Sequence, residues 1–243
     1  MPTHKSITQP NLAQLKQRLG SLANADQAEL AQRFFKTGAG QYGEGDLFLG
    51  IRVPETRKLL KEFSALALKE VTPFIKSKWH EERLLGLLFL VQKYKKGNDE
   101  ERAKIFQIYV DHFPYVNNWD LVDVTAEHVT GAHLYLKPES TLCQWAKSSN
   151  LWVRRIAMLS TFYNIRKNEF QKSLEIAAIL LHDEQDLIHK AVGWLLREIG
   201  KRDLLAEETF LKAHQHEMPR TMLRYAIERF PEKKRQAYLK GDF

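Results

Sequence analysis

The 243-residue sequence has a single cysteine, Cys143, so no disulfide can form within the chain. A reducing, cytoplasmic compartment is the expectation that follows. Long apolar runs are missing too. The longest, Leu84 to Val91 counting Gly86, is eight residues, against about 18 or more for a membrane-spanning helix. The stretch from Met1 to Arg18 is polar and lacks the apolar segment of a secretory signal. Few segments alternate apolar and polar residues as a half-buried strand would. No Gly/Ser linker or low-complexity tract interrupts the chain. The nine histidines have no HExxH or zinc-like spacing, and His214 and His216, two apart, cannot share a helix face. The loop Gly38 to Gly45 holds four glycines, but no Gly-Lys-Ser/Thr follows it. It reads as a connection, not a phosphate cradle. No metal and no cofactor are expected.

What is present is helix. Hydrophobic residues make up 44% and charged residues 28%, the balance of a soluble globular protein. Pro54, Pro114, Pro138, Pro219 and Pro231 each stand at or just before a helical pattern, where a missing N–H goes unnoticed. Pro54-Glu55 and Pro138-Glu139 place an acid beside the start, as the helix dipole favours. Densely apolar helical segments begin near Glu82, Asn118, Leu151, Leu187 and Arg220. More polar ones run from Asp99 to Phe113 and from Glu169 to His182. The first dense segment is apolar on nearly every side, which predicts a helix buried between neighbours.

Register ties these segments together. Arg83, Trp119, Arg155, Lys190 and Thr221 fall in equivalent places, at spacings of 36, 36, 35 and 31 residues. A period of that length holds two helices and their turns. The expected fold is therefore all-α, an α-solenoid of stacked helix pairs with a concave basic face. It is read as one domain over 1–243, with N-terminal helices over 10–45 and repeats over about 54–240. Lys plus Arg number 37 and Asp plus Glu 30, a net charge of +7. Such an excess suits a polyanionic partner, and the equivalent positions would align Arg83, Arg155 and Lys190 with Trp119 along one face. Arg154, Arg197, Arg220 and Arg224 add charge nearby. The same cations could instead bond to neighbouring repeats.

The segment Asn117-Asn118-Trp119-Asp120-Leu121-Val122-Asp123 is the most unusual in the chain. Asn117 or Asn118 can cap a helix. Trp119 and Asp123, four apart, share a face. Asp120 points elsewhere and would favour the dipole of the first turn. Two roles are open to Asp123 from spacing alone: a ligand-facing carboxylate, or a buried acid bonded to an arginine. Trp194 repeats the arrangement, four after Lys190 and three before Arg197, and Trp152 lies three before Arg155. Trp79 and Trp145 are expected to pack in the core, as is Cys143.

These pieces resemble the AlkD-type DNA alkylpurine glycosylases of bacteria, which are built from HEAT-like repeats. The resemblance is carried by Phe48-Leu49-Gly50-Ile51-Arg52-Val53-Pro54-Glu55-Thr56-Arg57 and by Trp119-Asp120-Leu121-Val122-Asp123. Leu151-Trp152-Val153-Arg154-Arg155 and Lys190-Ala191-Val192-Gly193-Trp194-Leu195-Leu196-Arg197-Glu198 complete it. It spans about residues 25–232. It implies an active cleft of one aspartate and two tryptophans, with an arginine on the DNA backbone. Position by position these are Asp123, Trp119, Trp194 and Arg155. Trp152, Arg52, Lys190 and Arg197 are the further DNA-binding candidates. Asn118 stands where some members have an aromatic residue, and Arg52 where some have glutamine. Relatives without the aspartate or tryptophan are thought to bind DNA without this activity, and this sequence keeps all four residues.

The implied substrate is double-stranded DNA carrying purines alkylated at N3 or N7. The implied reaction is monofunctional hydrolysis of the N-glycosidic bond without a closed base pocket, by a protein expected to be monomeric. The chemistry is consistent. A cationic base is already a good leaving group, so the need is for a carboxylate beside the sugar as positive charge develops there. Two other readings stand beside it: a non-catalytic protein that binds distorted or branched DNA, and a protein-binding scaffold.

Overall fold

The computed structural model describes residues 11–135, 137 and 140–242. The helix start expected at Pro138-Glu139 and the polar stretch from Met1 to Pro10 lie outside the described residues. Among the described residues every regular element is helical, apart from one isolated bridge between Leu47 and Trp79. None of the described helices is long and apolar enough to cross a membrane. The chain is an all-α helical-repeat protein of the HEAT-like class. Its residues gather into two compact units, one ending at Leu121 and the other beginning at Val122.

In the first unit, helix Leu12–Leu22 opens with a capping box between Asn11 and Gln14, and Asn24 caps helix Ala25–Phe34. Each cap satisfies backbone N–H groups that have no partner within the helix. Helix Val53–Glu62 starts one residue before Pro54. Leu15, Leu19, Leu59, Phe63, Phe74, Leu85 and Phe89 close into one apolar core. Gly50 makes a tight approach possible. Its φ is +78°, and a Cβ there would sit 2.1 Å from the Asn24 carbonyl oxygen. The central helix, His80–Lys96, buries every residue from Leu84 to Val91, as its all-round apolar pattern predicts. Its partner, Asp99–Asp111, ends two residues short of Phe113. A 3₁₀ turn containing Pro114 follows.

The second unit repeats the theme of a largely buried helix followed by a less buried one. Leu151–Ser160 is followed by Phe162–Arg166 and Gln171–Ile179, Asp186–Gly200 by Leu204–His214, and Arg220–Ala226 by Glu232–Lys240. The polar segment expected from Glu169 is shorter than its pattern. Asn168 turns the chain with φ +60°, a conformation that asparagine tolerates better than most residues. Pro219 and Pro231 stand at the N-caps of their helices. Gly193 lets helix Asp186–Gly200 lie against the Met222 backbone, where a Cβ would meet the carbonyl oxygen at 2.4 Å. Glu207 is buried. Burial, with Glu208 beside it, pushes its carboxyl up to about 8.

The dense segment from Asn118 is less regular than its composition suggests. Helix Trp119–Asp123 is five residues long, and a π-helical turn, Glu127–Gly131, follows. The hydroxyls of Thr125 and Thr130 donate to the carbonyls of Val122 and Ala126. Such back-bonding bends a helix.

Candidate functional site

Trp119 is half-buried and rests on two phenylalanines of the first unit. Its ring stacks on Phe35 at 5.4 Å and meets Phe34 edge-on at 5.9 Å. Its backbone N–H donates to Oδ1 of the buried Asn118, at 2.9 Å. Phe34 is 64% exposed although it ends a helix. Phe34 and Phe35, with Phe48, Arg52, His80 and Asp120, line a cavity of about 270 Å³. Arg52 is exposed at the N-cap of its helix, and its Nε lies 3.4 Å from Gln27 Oε1.

Behind these rings lies a buried charged group that sequence reasoning missed. His80 is 2% exposed. Its Nδ1 is 2.8 Å from Asp46 Oδ2 and its Nε2 is 2.9 Å from Asp120 Oδ2. Arg83 donates to the other Asp46 oxygen at 2.5 Å and to the Ser77 carbonyl at 2.9 Å. Burial disfavours a charged ring. The hydrogen bonds and charges of Asp120 and Asp46 outweigh it and raise His80 from 6.5 to about 9. Burial also opposes ionisation of Asp46, but His80 and Arg83 hold its carboxyl below the usual range. Asp120 therefore does more than favour a helix dipole, because it closes one side of this clamp. Its separation of 40 residues from His80 gives no local sequence signal.

In the second unit Arg155 grips Asp123 with a two-pronged pair. Nε reaches Oδ1 and Nη2 reaches Oδ2, each at 2.9 Å, while Nη1 donates to the Leu187 carbonyl at 2.5 Å. The arginine side chain is 6% exposed and the aspartate 20%. The pairing open to Asp123 from sequence is thus formed, and its partner is the arginine singled out beside it. Trp152 is buried one turn earlier on the same helix, while Trp79 and Trp145 are half-buried and not in the core. Trp194 is half-buried and meets Phe162 edge-on at 5.6 Å. Lys190 pairs with Asp186 at 2.7 Å, and Arg197 pairs with Glu228. Cys143 is also half-buried, and its thiol donates to Glu175 at 3.2 Å. Burial, then that hydrogen bond, pushes the thiol pKa up.

The aligned cations are consequently not a bare row of charge. Arg83 and Arg155 are buried in ion pairs, and Arg154 pairs with Asp183 at 2.6 Å. The periodic position serves first to join elements within each unit. Among the described residues no group of three or more histidine, cysteine or acidic side chains is arranged to hold a metal ion.

The comparisons with known proteins agree with this architecture. A solved structure described as a predicted DNA alkylation repair enzyme from Enterococcus faecalis has the same fold. Its TM-score is 0.68 at 19% identity, covering 86% of this chain and 97% of that one. No curated protein matches the chain. The DNA alkylation repair enzyme family matches it over residues 15–230. The resemblance read from Trp119, Asp123, Arg155 and Trp194 thus holds at the level of the family, and the chain belongs to the DNA alkylation repair enzymes.

Proposed function

We propose that this protein is a monofunctional DNA glycosylase that excises cationic N3- or N7-alkylated purines from duplex DNA without a closed base pocket. The observation that carries the reading is the Asp123–Arg155 pair: a partly exposed carboxylate held rigidly by a buried guanidinium. A fixed carboxylate is what a developing sugar cation needs, because it does not have to reorganise when the charge appears. The bond from C1′ to the purine nitrogen breaks, and its electron pair neutralises the departing cationic base. Water adds its oxygen to C1′ and its spare proton passes to solvent, leaving a free base and an abasic site. Asp123 stabilises the sugar cation and orients the water. Trp119 and Trp194 hold the damaged nucleotide through cation–π and CH–π contacts, on the order of 0.5–2 kcal/mol for each cation–π contact. Arg155 aims Asp123. Arg52, Lys190 and Arg197 add backbone contacts, and Trp152 packs the helix that carries Arg155.

The test is release of 7-methylguanine from methylated duplex DNA by the native protein and by Asp123→Asn. The amide keeps the shape and loses the charge. The expected result is a fall in the single-turnover rate of about 10²-fold or more, with DNA affinity retained. Equal release by both proteins overturns the role of Asp123. Salt-dependent binding to branched duplexes with no excision by either would favour the non-catalytic reading.

A further inference from the structure

His80 is built as a two-sided donor. An ionised carboxylate only accepts hydrogen bonds, and a neutral imidazole has one donor nitrogen. Both ring nitrogens of His80 face carboxylate oxygens, at 2.8 and 2.9 Å. With a neutral ring one of those contacts would set lone pair against lone pair at a ring only 2% exposed. With an imidazolium both are charge-assisted hydrogen bonds. The ring faces agree. Phe48 stacks on the ring at 4.5 Å and Phe35 lies against it at 4.9 Å, and aromatic faces attract a cation.

Both connections from this cation lead to Trp119. Asp120 is the next residue in the chain, so the His80 clamp fastens the first turn of helix Trp119–Asp123. Phe35 touches the His80 ring and also carries the indole of Trp119. We propose that His80, held as an imidazolium between Asp46 and Asp120, is the positioning residue that fixes the Trp119 indole and makes its orientation depend on one proton. This rests on the proposed role of Trp119 at the damaged nucleotide, but only for its effect on rate.

The charged groups around the ring are few. Asp46 faces it from the loop before Leu47 and Asp120 from helix Trp119–Asp123. Arg83 and Glu81 belong to its own helix, and Arg52 lines the adjoining cavity. Carboxylates and guanidinium groups ordinarily keep their charge from pH 7 to 10, and Glu207, raised to about 8, belongs to the second unit, so a change at Trp119 centred near pH 9 reports His80. Above the transition the clamp loses its proton, one carboxylate is left facing a lone pair, and the helix start loosens.

The experiment uses the whole protein labelled with 5-fluorotryptophan. The Trp119 fluorine resonance is assigned by its loss in Trp119→Phe. In the native protein that resonance is expected to titrate with a midpoint near pH 9, while far-UV circular dichroism stays constant. In Asp120→Asn the midpoint falls toward that of an ordinary histidine. In His80→Gln the resonance is displaced already at pH 7, and 7-methylguanine release falls about tenfold or more through the single-turnover rate, with DNA affinity unchanged. A Trp119 resonance that neither titrates nor moves in His80→Gln overturns the proposal. The native titration decides alone if that variant fails to fold. A resonance that titrates in a protein releasing no alkylated base supports the positioning role and removes the glycosylase reading.

Discussion

At the scale of the residue, two buried ionisable groups give the protein a direction of pH dependence. The unfolded histidine titrates near 6.5 and the folded His80 at about 9. Its stabilisation is complete below pH 6.5 and is lost as pH rises through 9. That difference corresponds to roughly 3 kcal/mol. Glu207 acts in the same sense by another route. Its carboxyl is raised from 4.5 to about 8 by burial and by Glu208, so the folded form binds more protons and loses stability as pH climbs from 4.5 to 8. Denaturant unfolding should show a protein most stable on the acidic side of neutrality. Glu207→Gln should stabilise it at pH 8 and flatten the slope below 8, and His80→Gln should flatten the slope between 6.5 and 9. Neither group was legible in the sequence. Asp46 and Asp120 are 34 and 40 residues from His80, and only folding brings them together. Arg155 became visible through its register and Asp123 through its place four after Trp119, and a bond from Asp123 to an arginine was one of two roles open to it; that Arg155, 32 residues away, is that arginine needed the fold.

At the scale of the element, the helix starts were largely legible. Segments expected near Glu82, Leu151, Leu187 and Arg220 begin at His80, Leu151, Asp186 and Arg220. Proline placement, asparagine caps and apolar periodicity agree at these starts, and local signals suffice where they agree. The ends were less legible: the segments expected to close at Phe113 and His182 close at Asp111 and Ile179. The π-helical turn at Glu127–Gly131 had no local signature. It ends at a close approach, since a Cβ on Gly131 would lie 2.3 Å from the Ser160 carbonyl oxygen. The same close-approach logic governs helix Asp186–Gly200, which carries Lys190, Trp194 and Arg197. Gly193→Ala puts a methyl group against the Met222 carbonyl and Tyr225 Cβ, at 2.4 and 2.5 Å. A loss of about 1–3 kcal/mol in thermal unfolding is expected. A variant as stable as the native protein would mean that helix Arg220–Ala226 yields freely.

At the scale of the whole molecule, the surplus of seven positive charges divides into two classes. Arg83 is buried in a pair with Asp46, whereas Arg52 is exposed. Arg52→Ala is expected to lower the slope of log affinity for duplex DNA against log salt by about 1. Arg83→Met is expected to leave that slope unchanged while removing on the order of 3 kcal/mol of stability, since Asp46 loses a buried partner. Equal slopes in Arg52→Ala and the native protein would remove Arg52 from the phosphate contacts. The one cysteine has a meaning at this scale as well. A protein of alkylation repair works where electrophiles abound, and a thiolate is the side chain such reagents attack fastest. Cys143 is kept in its protonated form by burial and by the hydrogen bond it gives to Glu175. The single sulfhydryl of the chain is thus half-buried, and its ionisation to the reactive thiolate is disfavoured.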